Sequence, residues 1–387
     1  MKIPFNKPYQ SPKALEYIKD AMDRGHISGN GHYGQKCQKF FEERYQVDKC
    51  LLTSSCTDAL EMAAILLEIQ PGEEVIMPSF TFVSTANAFV LRGAKIRFVD
   101  SRADHPGMDE SQIEALINEK TKAIVAVHYA GVPCDMDLIM ALAAKYNLFI
   151  VEDAAQAIES EFKGKQLGSI AHLGCISFHE TKNIQCGEGG MLMINDQRFL
   201  DRAEVIWNKG TDKAKFLQGE VSKYQWKDLG SSFQLSEVNA AILWSQLEEM
   251  EEIGKKRKGI WDQYFDIFCR RDLKESHSYF ELVRNSMDSN SNFRIQPLEF
   301  RGNSHMFYLV FESEKERKAY SEALSEQGIM AVFHYQSLHK SDFSKQQFPE
   351  EFKRELPNAD KYSRGLLRLP FFLELDKVNK EWGKNDL

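Results

Sequence analysis

Between about residues 50 and 250, short apolar runs alternate with stretches whose apolar residues recur at helical spacing. Asp58 to Ile69 carries Leu60, Ala63, Ala64 and Leu67 along one face and reads as a helix. Glu74 to Met77, Lys95 to Val99 and Ala123 to Val127 read as strands, ending at Pro78, Asp100 and His128. Asp135 to Tyr146 reads as a helix, with Asp135 as its N-cap and Asn147 near its end. Leu148 to Val151 is an apolar strand that runs into Glu152-Asp153-Ala154-Ala155-Gln156. Strands separated by helical stretches predict an α/β domain: a mainly parallel sheet covered by helices on both faces.

Ser236 to Ile253 reads as one long amphipathic helix, and the charged stretch Glu248 to Arg257 marks a surface crossing. The chain is therefore divided there, into a large domain over 1–253 and a smaller α+β domain over 254–387. In the second part His305 to Phe311 and Ile329 to Tyr335 read as strands, and Glu314 to Gln327 as a helix closed by Gly328. The mostly polar run Asn285 to Asn292 reads as a loop.

Composition narrows the class. A chain of 387 residues can bury a large core, and 43% hydrophobic with 27% charged residues is ordinary for a soluble enzyme. A net charge of -8 argues against a general nucleic-acid binder but leaves room for one anionic ligand in a local site. The seven cysteines are scattered and never closely paired. That predicts a reduced, cytoplasmic protein with no disulfide framework and no structural metal. The N-terminus lacks a signal-peptide core, and no apolar run approaches the ~20 residues that span a membrane.

The chemistry is concentrated in Ser177-Phe178-His179-Glu180-Thr181-Lys182-Asn183, a polar loop between two apolar segments. Lys182 lies just past one strand and Asp153 at the end of another. That pair suits pyridoxal phosphate (PLP): the lysine forms a Schiff base with the aldehyde, and the aspartate keeps the pyridine nitrogen protonated. Thr53-Ser54-Ser55-Cys56-Thr57 precedes a helix, whose N-terminal amides would hold the phosphate. An ordinary Ser/Thr N-cap explains that segment equally well by itself. Ser177 is a second phosphate candidate or a plain strand-end serine. Phe82, in Pro78-Ser79-Phe80-Thr81-Phe82, could stack on the ring or be a core residue. His179 is assigned no proton transfer. Gly187-Glu188-Gly189-Gly190 reads as a tight turn.

Together these segments resemble the DegT-type sugar-nucleotide aminotransferases, a branch of the fold-type I PLP enzymes. The likeness runs from Pro4-Phe5-Asn6-Lys7-Pro8 to Leu366-Leu367-Arg368-Leu369-Pro370. It implies a large domain with a seven-stranded, mainly parallel sheet and a small C-terminal domain. It implies Lys182 as the Schiff-base lysine and Asp153 as the partner of the pyridine nitrogen. Gln156 would meet the ring hydroxyl, Phe82 would stack on the ring, and Cys56, Thr57 and Ser177 would hold the phosphate. His334 and Tyr335, in Phe333-His334-Tyr335, would lie near the sugar-nucleotide or form a core strand of the small domain.

The family is homodimeric, with a partner loop that matches Gly230-Ser231-Ser232-Phe233-Gln234 and would bring Ser232 to the phosphate. Most relatives have asparagine and arginine where this chain has Ser232 and Gln234, which leaves the donor's carboxylate-binding residue unassigned. After Pro370-Phe371-Phe372 the family continues into a helix, where this chain has a charged tail, Asp376 to Leu387.

The implied reaction moves the amine of L-glutamate to the 4-keto group of a nucleotide-linked 6-deoxy sugar. The resemblance is strongest to the subgroup that makes dTDP-4-amino-4,6-dideoxygalactose for cell-surface polysaccharide. A 3-aminotransferase, or a 4-aminotransferase making the other epimer, is the nearest rival. Lys182 argues against the sugar dehydratase of the same family, which has histidine there. The intact lysine–aspartate pair argues against a non-catalytic sugar-nucleotide sensor. The absence of any GxGxxG argues against a nicotinamide dehydrogenase.

Overall fold

The computed structural model describes residues 2–269, 294–295 and 298–375. The loop expected over 285–292 and the charged tail over 376–387 lie outside the described residues. The first half of the chain supplies β1 (Lys49–Thr53), β2 (Glu74–Pro78), β3 (Lys95–Val99), β4 (Thr121–Val127), β5 (Phe149–Asp153), the hairpin β6 (Glu161–Phe162) and β7 (Lys165–Gln166), then β8 (Leu173–Ser177) and β9 (Gly190–Ile194). Without the hairpin these form a seven-stranded sheet in the order β1-β9-β8-β5-β4-β2-β3. β3, β2, β4, β5 and β8 pair in parallel, and β9 runs antiparallel to both β8 and β1. The sheet is mainly parallel, as the alternating pattern predicts, with one reversed strand.

Strand side chains alternate between two cores. Cys50, Leu52, Ile76, Ile124, Ala126, Ile150 and Ile176 enter one, and Leu51, Val75, Met77, Ala123, Val125, Val151 and Cys175 enter the other. Burial on both faces explains why these strands read as unbroken apolar runs. The helix Met136–Tyr146 begins where Asp135 caps it, its carboxylate accepting from the Leu138 amide at 3.1 Å. It ends at Asn147 in the left-handed region, φ 53°.

The helix expected over Ser236 to Ile253 is instead two, Glu237–Leu247 and Met250–Cys269, so position 253 lies inside the second. The break at Glu248 and Glu249 turns both carboxylates toward the N-terminal segment. Lys13 and Tyr17 donate to Glu248, and Tyr9 and Ser11 donate to Glu249. The two strands expected in the C-terminal part are also shorter than read, as β12 (Tyr308–Val310) and β13 (Val332–Phe333). Ile329 is taken by a bridge to Ile3, and His334 and Tyr335 leave the sheet to meet the large core. With β14 (Leu366–Arg368) between them, β12 and β13 form an antiparallel sheet. It packs on a separate apolar cluster that includes Tyr264, Phe307, Leu324, Leu367 and Leu369. β6 and β7 extend another sheet, through β11 (Leu298–Arg301) and β10 (Arg294–Ile295). Among the described residues no helix is long and apolar enough to cross a membrane, and no cluster of His, Cys, Asp and Glu has metal-binding geometry.

Candidate active site

The parallel strands end along one edge of the sheet, where ligand crevices form in α/β folds. The chain delivers most of its chemical groups there: Ser55 and Cys56 after β1, Ser79 to Phe82 after β2, His128 and Tyr129 after β4, Asp153 at the end of β5, and Ser177 at the end of β8.

Asp153 is buried at 6% exposure. Its Oδ2 accepts from the Thr85 hydroxyl at 2.7 Å, and its Oδ1 from the Ala155 amide at 3.2 Å. The Thr85 hydroxyl also lies 3.0 Å from that of Thr81. Its neighbour Glu152 points to the other side. It is fully buried against His128 at 2.9 Å and accepts the amides of Gly168, Ile170 and Ala171. Glu152 thus pins the turn before β8 and fixes the end of β5 from beneath, while Thr85 fixes the aspartate from above.

Lys182 sits on the loop between the adjacent strands β8 and β9. The amides of Phe178 and Glu180 donate across the loop to the carbonyls of Gly189 and Gly187. Asn183 ties the same loop to the C-terminal part, donating to the Asn303 carbonyl and meeting His305 Nδ1 at 2.8 Å. The Lys182 amino group has no hydrogen-bond or ion-pair partner among the described residues. Desolvation pulls its pKa down to about 8, with Cys56 and Asp153 raising it and Arg368 lowering it further. About a tenth of the amine is therefore neutral at pH 7, far more than for an ordinary lysine, and the neutral form is the nucleophile.

The candidate anion cup lies at the start of the helix that follows β1. Ser55 caps the helix Cys56–Leu66, accepting the Asp58 amide at 3.0 Å. The first-turn amides of Cys56 and Thr57 have no acceptor among the described residues. In the sheet register Gly190 lies opposite both Thr53 and Ser177, so Ser177 and the cup flank one glycine. A Cβ on Gly190 would stand 2.3 Å from the Cys56 amide nitrogen and 2.3 Å from the Ser55 carbonyl carbon. Gly187 does have φ 83°, as the turn reading requires, but Gly190 is needed for close approach. Gly190→Ala should push the cup outward, costing about 1–3 kcal/mol of stability and weakening retention of a phosphate ligand at least tenfold. Thermal melts and a PLP titration would check this. Wild-type affinity would mean that the cup does not depend on this contact.

The opposite wall is aromatic. The rings of His334 and Tyr335 stack at 3.6 Å. The Tyr129 hydroxyl meets His334 Nδ1 at 2.6 Å. Gln156 accepts the Ala130 amide and donates to the Tyr335 hydroxyl at 2.9 Å, leaving one N–H for a ligand. Burial lowers the His334 pKa well below the usual range and raises that of Tyr335, so both rings are neutral at pH 7. Phe82 is 54% exposed, with its ring 5.9 Å from Tyr335, whereas Phe80 is the core phenylalanine. Thr57 uses its hydroxyl on Ser84 at 2.8 Å. Ser232 is exposed and bonds to none of these groups within the chain, although Phe233 and Gln234 run along the end of β1. Thr85, Tyr129, Ser84 and Arg368 were not singled out from the sequence. For Thr85 the available signal was its spacing from Thr81, one helical turn behind Phe82.

A half-buried helix N-terminus with unpaired amides, a carboxylate fixed by two donors and a desolvated amine lie along one sheet edge. The chain matches the model of the DegT/DnrJ/EryC1/StrS aminotransferase family over residues 8–381. It is 37% identical over 263 residues to the GDP-perosamine synthase of Escherichia coli O157:H7, covering 68% of this chain and 70% of that one. Helicobacter pylori PseC, an aminotransferase involved in the biosynthesis of pseudoaminic acid, shares the fold at TM-score 0.85 and 23% identity, over 98% of this chain and 96% of that one. The PLP form of Streptococcus pneumoniae Spr1654 shares it at TM-score 0.82 and 23% identity, with the same coverage. The chain belongs to the DegT/DnrJ/EryC1/StrS aminotransferase family.

Proposed function

We propose that this protein is a PLP-dependent transaminase that moves the amine of L-glutamate to the 4-keto carbon of a nucleotide-linked 4-keto-6-deoxy sugar. The acceptor favoured is dTDP-4-keto-6-deoxy-D-glucose, giving dTDP-4-amino-4,6-dideoxy-D-galactose for cell-surface polysaccharide, in the cytoplasm. The observation that carries this reading is the desolvated Lys182 amine with fixed Asp153 and the Cys56–Thr57 cup on one sheet edge. When bound, PLP would supply an aldehyde that takes up the amine and a ring that accepts the electrons left by a departing proton. Lys182 Nζ would take the proton from the donor's α-carbon and return it one position away. Asp153 would hold the pyridine nitrogen charged, and Cys56, Thr57 and Ser177 would retain the phosphate. Phe82 would cover the ring, Gln156 would direct its free N–H at the ring hydroxyl, and His334 and Tyr335 would border the sugar. The large domain, 1–253, would carry the cofactor, and 254–387 would form the small α+β domain. A GDP-linked keto sugar is the second reading, favoured by the GDP-perosamine synthase relative. Incubation with glutamate and a panel of dTDP-, UDP- and GDP-linked 4-keto sugars, with mass and NMR analysis, tests both. An absence of aminosugar from every member would sink the proposal.

The lowered Lys182 pKa sets a pH dependence. Below about 8 the amine is mostly protonated and cannot attack an aldehyde, so covalent capture of PLP by the cofactor-free protein should speed up about tenfold per pH unit there. Above about 8 the rate should level off. Stopped-flow absorbance between pH 6 and 10 would reveal this, and a rate still climbing tenfold per unit near pH 9.5 would place the pKa at its ordinary value.

The proposed assembly is a homodimer in which Ser232 reaches the partner's phosphate cup. Its support is the exposure of Ser232 beside Trp226, 82% exposed, and Leu229, 47% exposed, apolar surface that a lone chain leaves in water. Mixing Lys182→Ala with a disrupting Ser232 variant should then restore part of the activity, since each mixed dimer holds one site with both groups intact. No recovery after proven subunit exchange, with each variant inactive alone, would mean that each site is built within one chain.

A further inference from the structure

Arg368 lies on β14, the middle strand of the small sheet, opposite Tyr308 on one side and Val332 on the other. The two-residue period divides this strand. Leu367 and Leu369 face the small core, and Leu366 packs into the core shared with the large sheet. Arg368 follows Leu366 and is carried toward the cleft, close enough that its charge lowers the pKa of Lys182. One face of its guanidinium rests on the Phe5 ring, 4.7 Å from the centroid. Its Nε is buried without a hydrogen-bond partner, and no carboxylate among the described residues pairs with it. Arg257, a buried residue where Arg368 is half-buried, differs: it donates to the carbonyls of Ser304 and His305. Among the described residues, the titratable groups that Arg368 interacts with offer no counter-charge. Lys182, His305 and His334 feel it as a cation, and Tyr129 and Tyr335 are neutral phenols. Such a desolvated, unpaired guanidinium is costly unless an anion arrives to share it.

We propose that Arg368 binds the α-carboxylate of the amino donor, and so makes an amino acid, rather than a simple amine, the substrate of the first half-reaction. This deepens the function proposed above and rests on it. The guanidinium is a planar fork that suits a carboxylate held by two hydrogen bonds, and Phe5 fixes the plane of that fork. A carboxylate attached to the carbon that bears the amine would come near both Lys182 and Arg368, whose charge Lys182 feels. The diphosphate of a sugar-nucleotide does not, because the sugar ring separates it from the keto carbon.

The test uses the PLP-loaded protein and glutarate, an unreactive dicarboxylate, as the probe. Charged hydrogen bonds are worth roughly tenfold to a hundredfold in affinity. Arg368→Gln should therefore raise the Kd for glutarate at least tenfold, with partial rescue by Arg368→Lys, and should shift the Kd for dTDP far less. The preference for glutamate over 4-aminobutyrate, which lacks the α-carboxylate, should fall at least tenfold, whereas a merely structural role would slow both donors alike. In the unaltered protein, phenylglyoxal should modify Arg368, and glutarate should protect it while dTDP does not. Unchanged glutarate affinity, protection by dTDP alone, or equal modification with and without glutarate would overturn the assignment. These readouts do not depend on the sugar. If no keto sugar is aminated, the proposed acceptor falls while the Arg368 assignment is still decided by glutarate.

Discussion

Lys182→Ala should give a folded, colourless protein whose amine transfer is slower by on the order of 10³- to 10⁴-fold. The side chain is half-buried, and its amine lacks an ion-pair partner among the described residues. Burial penalises the charged form, so at pH 7 removing it relieves a cost, and the melting temperature should not fall. Chemistry should fail nonetheless, because the amine that would attack the aldehyde and carry the proton is gone. In the unaltered protein, borohydride treatment followed by peptide mapping should find the pyridoxyl group on Lys182. Finding it on another lysine would remove the residue from its role.

Asp153→Asn should keep PLP bound but slow the half-reaction with glutamate by roughly 10²- to 10³-fold. The two groups that orient the carboxylate, the Thr85 hydroxyl and the Ala155 amide, are both donors, and they leave its negative charge unopposed for a cationic ring nitrogen. An amide of the same shape can occupy the position but cannot hold a proton across the bond by charge. Rapid-mixing spectra would show slow decay of the cofactor band after glutamate is added, with the cup and the lysine intact. A normal rate would exclude Asp153 from the mechanism.

The large sheet was legible in the sequence because its strands are buried on both faces and separated by helices with clear periodicity. β3 falls on the expected residues, Lys95 to Val99. The reversal of β9 was not legible, since an apolar run carries no direction. The short β12 and β13 were over-read for the opposite reason. Their neighbouring apolar residues are used in contacts with the N-terminal segment and the cleft, which look the same as strand in a one-dimensional pattern. At the site, Lys182, Asp153 and the segment after β1 stood out through position and chemistry. Thr85 and Arg368 did not. Each acts through a neighbour brought close only by folding, and a lone arginine between two leucines signals nothing until its missing partner is seen.

The reversed strand also shapes how the molecule is assembled. Among the described strands of the large sheet, β1 pairs only with β9, and β9 comes after every other strand of that sheet in the chain. The β1–β9 pairing therefore closes a very long loop, the kind of contact that folding reaches slowly. The end of β1 starts the phosphate cup, and the start of β9 is the glycine on which the cup rests. A chain still emerging during synthesis thus cannot offer a finished cofactor site until β9 has been made, although the segment for Asp153 exists long before.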